Sequence, residues 1–226
     1  MTHHLTHGGL PDGMTRWQFF GLIESARRQL GLSKGAIAYL KVAISRTMDE
    51  DFLAGRICSF WTSVTKIAAQ AGLDRRQVAR IEADLIQREL LVKTASDHSR
   101  RSGSRRDGKI GNDFGNNLAP LIARATEVQA AARKAAFEEE EAERLRARIR
   151  KLFGDIRRLC LDDAVEAAEE ILPNRRPSTI QSFERLKQVA EALEAVWEDF
   201  STEVSRGEKG IVKLLPSAGQ LCSSVR

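Results

Sequence analysis

The chain has 226 residues, of which 42% are hydrophobic and 30% charged, and its formal net charge is +5. These values suit a globular protein with a helical extension, and no run of about 18 apolar residues offers a membrane-spanning helix. Cys58, Cys160 and Cys222 stand far apart without metal-ligand spacing, which excludes a disulfide scaffold or zinc ribbon and suits a reducing, cytoplasmic setting.

The opening MTHHLTHGGLPDGMT lacks the apolar core of a secretory signal. His3, His4 and His7 read as part of a flexible N-terminus over residues 1–15 rather than a metal site, since no cysteine lies near them. Residues 16–30 carry a helical stripe of Phe19, Phe20, Ile23, Ala26 and Leu30, and Gly31 marks a stop. Ser33 caps a second helix to about Thr47, whose Ile37, Leu40, Val42 and Ile44 predict burial on most sides. Residues 49–60 turn the chain, with a short extended piece at 56–60. Residues 63–71 form a short helix, Gly72 a tight turn, and Asp74 an N-cap for a helix through about Arg88. Leu90–Lys93 are β-capable. Residues 96–113, rich in Ser, Gly and Arg, read as the tip of a β-hairpin, with Ile110 starting the return strand.

The character changes near residues 115–125. Pro120 sits in a first helical turn, an alanine-rich segment follows, and then the run Glu138–Glu141 on a solvated helix. Leu145, Ile149, Leu152, Ile156 and Leu159 repeat at 4-3-4-3 spacing, a heptad seam that asks for coiled-coil or antiparallel pairing. A short acidic helix covers about 162–171. Ser178 or Thr179 caps a final helix whose Phe183, Leu186, Val189, Leu193, Val196, Trp197 and Phe200 make it a natural partner for the seam. The expected organisation is a flexible N-terminus over 1–15 and a winged helix-turn-helix domain over 16–118. A helical, partly coiled-coil-like region over 119–205 and a flexible tail over 206–226 follow. The fold class is mainly α with a small β-hairpin.

Charge is uneven. Residues 56–110 hold 12 basic and 6 acidic side chains, whereas residues 111–226 hold 18 and 20. A local positive field of this kind attracts a phosphate backbone. In residues 63–88, Ala68 and Ala69 permit close helix crossing, Leu73 plugs the turn, and Val78, Ile81, Leu85 and Ile86 form a buried stripe. The other face carries Arg75, Arg76, Gln77 and Arg80, suited to bases or phosphates in a major groove. Arg80 and Asp84 also read as an i,i+4 surface pair. The basic hairpin adds Lys93, His98, Arg100, Arg101, Arg105, Arg106 and Lys109 as backbone contacts, with a basic loop free of DNA as its bland alternative. Thr62 and Ser63 cap the first helix of the pair and suit a phosphate. Trp61 reads as a supporting core residue. No nucleotide-binding loop, metal-protease helix or nucleophile elbow occurs, so neither an enzyme nor a cofactor is expected.

Two stretches, WTSVTKIAAQAGLDRRQVARIEADLIQRELLVKTASDHSRR and GKIGNDFGNNLAPLIARATE, resemble the replication protein C initiators of large alphaproteobacterial repABC plasmids. The resemblance spans roughly residues 10–130 and includes Gly111, Phe114, Gly115 and Leu118–Leu121. It implies a reading helix on 74–88, a wing on roughly 90–113, binding at a plasmid origin and recruitment of host replication proteins, without a catalytic centre. The wing differs, since the family commonly has DSPNGKR where this chain has DHSRRSGSRR. The expected function is sequence-specific binding of double-stranded DNA at a plasmid replication origin. A winged-helix transcriptional regulator is the first alternative. The second is a helical assembly or adaptor protein with weak nucleic-acid binding. Homodimerisation through the helical region is the expected self-association.

Overall fold

Packing divides the chain into two units, Met1–Phe137 and Glu138–Arg226, and the computed structural model describes residues 6–94 and 101–212. The division falls inside a long helix rather than near residue 118.

The first unit opens with α1 (Arg16–Ser25) and α2 (Lys34–Ser45). Thr15 and Gln18 close a reciprocal cap on α1: the Gln18 amide donates to the Thr15 hydroxyl and the Thr15 amide to the Gln18 side chain. α1 stops at Ser25 rather than near residue 30. Successive turns carry the chain to Gly31, which takes the left-handed φ of 65° that a side chain resists. Ser33 caps α2 as expected, and Ala36, Ile37, Tyr39, Leu40, Val42, Ala43 and Ile44 are all buried.

A 3-10 turn (Asp49–Phe52) and β1 (Ser59–Phe60) lead into α3 (Val64–Ala71) and α4 (Arg75–Gln87). Then come β2 (Val92–Lys93), β3 (Ser102–Arg106), β4 (Lys109–Phe114) and β5 (Asn116–Asn117). α5 (Ala119–Ala123) and α6 (Ala125–Arg158) follow, with a break at Arg124. β5 lies between β1 and β2, antiparallel to both, while β3 and β4 form a separate two-stranded hairpin. α2, α3 and α4 pack together around Ile23, Tyr39, Leu40, Ile44, Phe60, Ile67 and Leu85, and Leu118, Leu121 and Ile122 of the α5 region close the same core. Each such large side chain, fully withdrawn from water, contributes roughly 1.5–3 kcal/mol. The result is mainly helical with a small antiparallel sheet, an arrangement consistent with the expected winged helix-turn-helix.

The expected flexible N-terminus does not hold over residues 6–15. Thr6 bridges Ile57, and the Leu10 amide donates to the Phe52 carbonyl. His7 is buried; its Nε2 donates to the Asp51 carbonyl at 2.8 Å and its Nδ1 accepts from the Gly9 amide at 3.0 Å. Both partners select the neutral ring, and burial holds its pKa below the usual histidine value. The unfolded chain therefore binds the proton more readily than the folded one. Stability from this group is complete above the ordinary histidine pKa and falls as pH drops below it. Melting curves between pH 7.5 and 5.5 should show a loss on acidification that is smaller in His7→Gln.

In the second unit, the later part of α6, α7 (Asp162–Ile171) and α8 (Phe183–Val212) share one core. Ile149, Phe153 and Ile156 pack in it with Ala164, Ala168, Leu186, Val189 and Leu193. The heptad seam packs within the chain, and α7, the expected short acidic helix, joins it as a third core layer. Pro177–Thr179 form a 3-10 turn, and the cap of α8 is Ser182, which accepts from the Arg185 amide, rather than Ser178 or Thr179. α8 continues through Gly207 to Val212, past the expected onset of a tail. Cys58 is fully buried and its thiol pKa is pushed up by burial, whereas Cys160 is exposed. Among the described residues, no helix is long and apolar enough to cross a membrane.

Candidate nucleic-acid interface

α3 starts where the Ser63 hydroxyl accepts from the Lys66 amide, and ends at Gly72, whose φ of 65° reverses the chain. The Leu73 amide returns to the Ala68 carbonyl. α4 then begins with a reciprocal cap. The Asp74 carboxylate accepts from the Gln77 amide at 2.7 Å, and the Gln77 side-chain oxygen accepts from the Asp74 amide at 2.8 Å. The pattern D-x-x-Q is legible in the sequence, although Gln77 was expected as a base contact; its side-chain carbonyl is held in the cap.

α4 buries Val78, Glu82 and Leu85 and exposes the opposite face. Arg76, Arg80, Ala83 and Gln87 recur at helical spacing on that face, Ala79 lies among them, and Arg75 stands exposed at its edge. The alanines keep the surface low between the arginines. Asp84 pairs with Arg88 at 2.8 Å rather than with Arg80. Among the described residues Arg75, Arg76 and Arg80 have no hydrogen-bond or ion-pair partner. Two cations in the first turn of a helix oppose its dipole, a small cost that the Asp74 carboxylate at the N-cap offsets only in part.

The wing residues divide into two sets. Along β3 the odd positions face inward and the even ones outward. Arg106 and Lys109 are exposed and directly opposite each other beside the Asp107–Gly108 turn, and Lys93 is exposed on β2. Arg101 and Arg105, expected as phosphate contacts, are committed to protein carboxylates. Arg101 donates to both oxygens of Glu82 at 2.7 and 2.6 Å and to the Thr62 carbonyl at 3.0 Å. Arg105 donates to both oxygens of Asp51 at 2.7 and 2.5 Å and lies over the Trp61 ring. That carboxylate raises the Arg105 pKa and keeps its charge fixed. Glu82 is 7% and Asp51 2% exposed, so both anions rely on their arginines. Thr62 is half-buried, its carbonyl occupied by Arg101, while Ser63 is exposed but its hydroxyl caps α3. His98 and Arg100 lie outside the described residues.

Glu82, Tyr39, Asn116 and Asp51 were absent from the expected set. The Tyr39 hydroxyl donates to Glu82 at 3.0 Å and accepts from the Asn116 side chain at 2.8 Å. Burial, reinforced by the Glu82 charge, pushes the Tyr39 pKa far up, so it stays a donor.

A family model described as the replication protein C N-terminal domain matches residues 2–163. The chain belongs to the replication protein C family. The match covers α1 through α6 and runs into α7. A curated Sinorhizobium fredii (strain NBRC 101917 / NGR234) protein whose name marks it as a replication protein C is 23% identical over 180 residues, covering 77% of this chain and 45% of that protein. The chain thus spans about half the length of this family relative. No solved structure matches the chain significantly. Family membership places it among replication proteins and accounts for the resemblance carried by the α3–α4 and Gly115–Leu121 stretches.

Proposed function

We propose that this chain binds double-stranded DNA sequence-specifically and serves as a plasmid replication initiator acting at the origin. One observation carries the reading: Arg76 and Arg80 stand exposed, and without a partner among the described residues, on the outward face of α4, the second helix of a helix-turn-helix, in a chain of the replication protein C family. In this reading α4 enters the major groove. Arg76 and Arg80 reach base edges or the flanking phosphates, with Arg75 beside them. Ser63 and Lys66 at the start of α3, together with Lys93, Arg106 and Lys109, meet the backbone. Specificity then sits on α4, and much of the salt-dependent affinity on the wing and the α3 start.

Selection of bound sites from random duplexes should return a defined motif. Against that motif, Arg76→Ala or Arg80→Ala should cost about 1–3 kcal/mol and relax preference at one base position. Arg106→Ala and Lys109→Ala should each reduce the salt slope by about 1 without changing the motif. Random recovery of duplexes, with neither arginine mattering, would count against sequence reading by α4.

A further inference from the structure

The wing cannot hold its own place. β3 and β4 form a two-stranded pair that shares no ladder with the three-stranded sheet, and an isolated hairpin is marginal in water. Beyond its root, where β4 runs through Gly115 into β5, what fixes it is the inward edge of β3. Arg101 reaches Glu82 on α4, and Gly103 lies against Trp61, so closely that a Cβ there would come within 2.4 Å of the ring. Arg105 reaches Asp51, and the Arg56 guanidinium donates to the Gly108 carbonyl at the turn. The Arg101 link differs from the rest because its anchor sits on the helix proposed to read DNA. Glu82 lies about 120° around α4 from Arg76 and about 160° from Arg80, on the side away from solvent. The same guanidinium also holds the Thr62 carbonyl, one residue before the cap of α3. From below, Tyr39 of α2 and Asn116 of β5 fix Glu82 to the core.

We infer that Glu82 and Arg101 are positioning residues for DNA recognition: their buried ion pair locks the wing to the back of α4, so that helix and wing meet a duplex as one rigid surface. This rests on the reading that α4 and the wing bind DNA. Neither residue touches DNA. Arg106 and Lys109 contribute because the Arg101 link holds them in register with Arg76 and Arg80.

The test uses the full chain and a duplex recovered by selection. The variant Glu82→Gln with Arg101→Met removes both buried charges together, and Gly103→Ala pushes the strand off Trp61 two residues from Arg101, which is expected to part Arg101 from Glu82 without removing either charge. Each variant is first checked for a cooperative melting transition. In the native chain, Arg106→Ala and Lys109→Ala are each expected to lower the salt slope by about 1. In either unlinked background the two substitutions should no longer change the slope. Affinity should fall by about tenfold, and the loss caused by Arg76→Ala should persist. A folded unlinked variant in which Arg106→Ala and Lys109→Ala still lower the slope as in the native chain overturns the link. If instead Arg76→Ala and Arg106→Ala have no effect in the native chain, the DNA reading itself has failed and the link falls with it.

Discussion

Replacing Arg101 alone with methionine should lower the stability of the first unit by about 3–5 kcal/mol, and adding Glu82→Gln should recover most of that loss. The asymmetry follows from where the charges sit. Glu82 is buried against Tyr39, and both of its oxygens accept from the Arg101 Nη2, while Nη1 donates to the Thr62 carbonyl. Removing the arginine strands a carboxylate away from water, which costs more than the ion pair contributes as a pair. Removing the charge as well leaves a side-chain oxygen that can still accept from Tyr39. Urea titration measures both, in a Trp197→Phe background so that fluorescence reports on Trp17 and Trp61 of the first unit. Equal losses in the single and double variants would assign the effect to lost packing of the arginine stem rather than to a stranded charge.

How far this site could be read from sequence depends on the kind of signal each residue carries. Ser63, Gly72 and Asp74 each use a local device, a cap or a left-handed turn, and local devices leave local patterns; α3 and α4 sit where those residues put them. Arg76 and Arg80 follow from the same periodicity, because a stripe that buries Val78 and Leu85 exposes what lies opposite. Glu82 breaks that logic. It occupies a buried position in the stripe as a carboxylate, and its partner lies 19 residues on in a different element. Arg101, Gly103 and Arg105 do alternate with Ser102 and Ser104 in the period of a strand. Yet two of these three inward positions are charged, so the pattern reads as the tip of a hairpin with its arginines free for phosphates. In the second unit, several hydroxyls precede α8, and only Ser182 lies three residues from an amide that needs it. The third helix α7 was legible as a helix but not as a core layer, because its buried residues Ala164 and Ala168 are small.

Gly115 makes a separate demand, and Gly115→Ala should destabilise the first unit by about 3 kcal/mol, the upper part of the usual range for overpacking. Its φ is not left-handed, so the cost is steric rather than conformational. A Cβ at this position would lie 2.3 Å from the Phe60 carbonyl oxygen and 3.1 Å from the Trp61 Cα. Both are backbone atoms and neither can rotate aside. On its other side the Gly115 carbonyl accepts from the Thr94 amide at 2.9 Å, so the strand cannot shift without opening that bond. Relief requires parting β1 from β5, the pairing that joins the chain ahead of α3 to the chain after the wing. Gly154 is the contrast, because a Cβ there meets open space inside α6. Gly154→Ala should therefore stabilise the second unit by roughly 0.5–1 kcal/mol. Urea titrations of the two variants should move in opposite directions. A Gly115→Ala protein with native stability would mean that β1 and β5 are not held this closely, and the root of the wing with them.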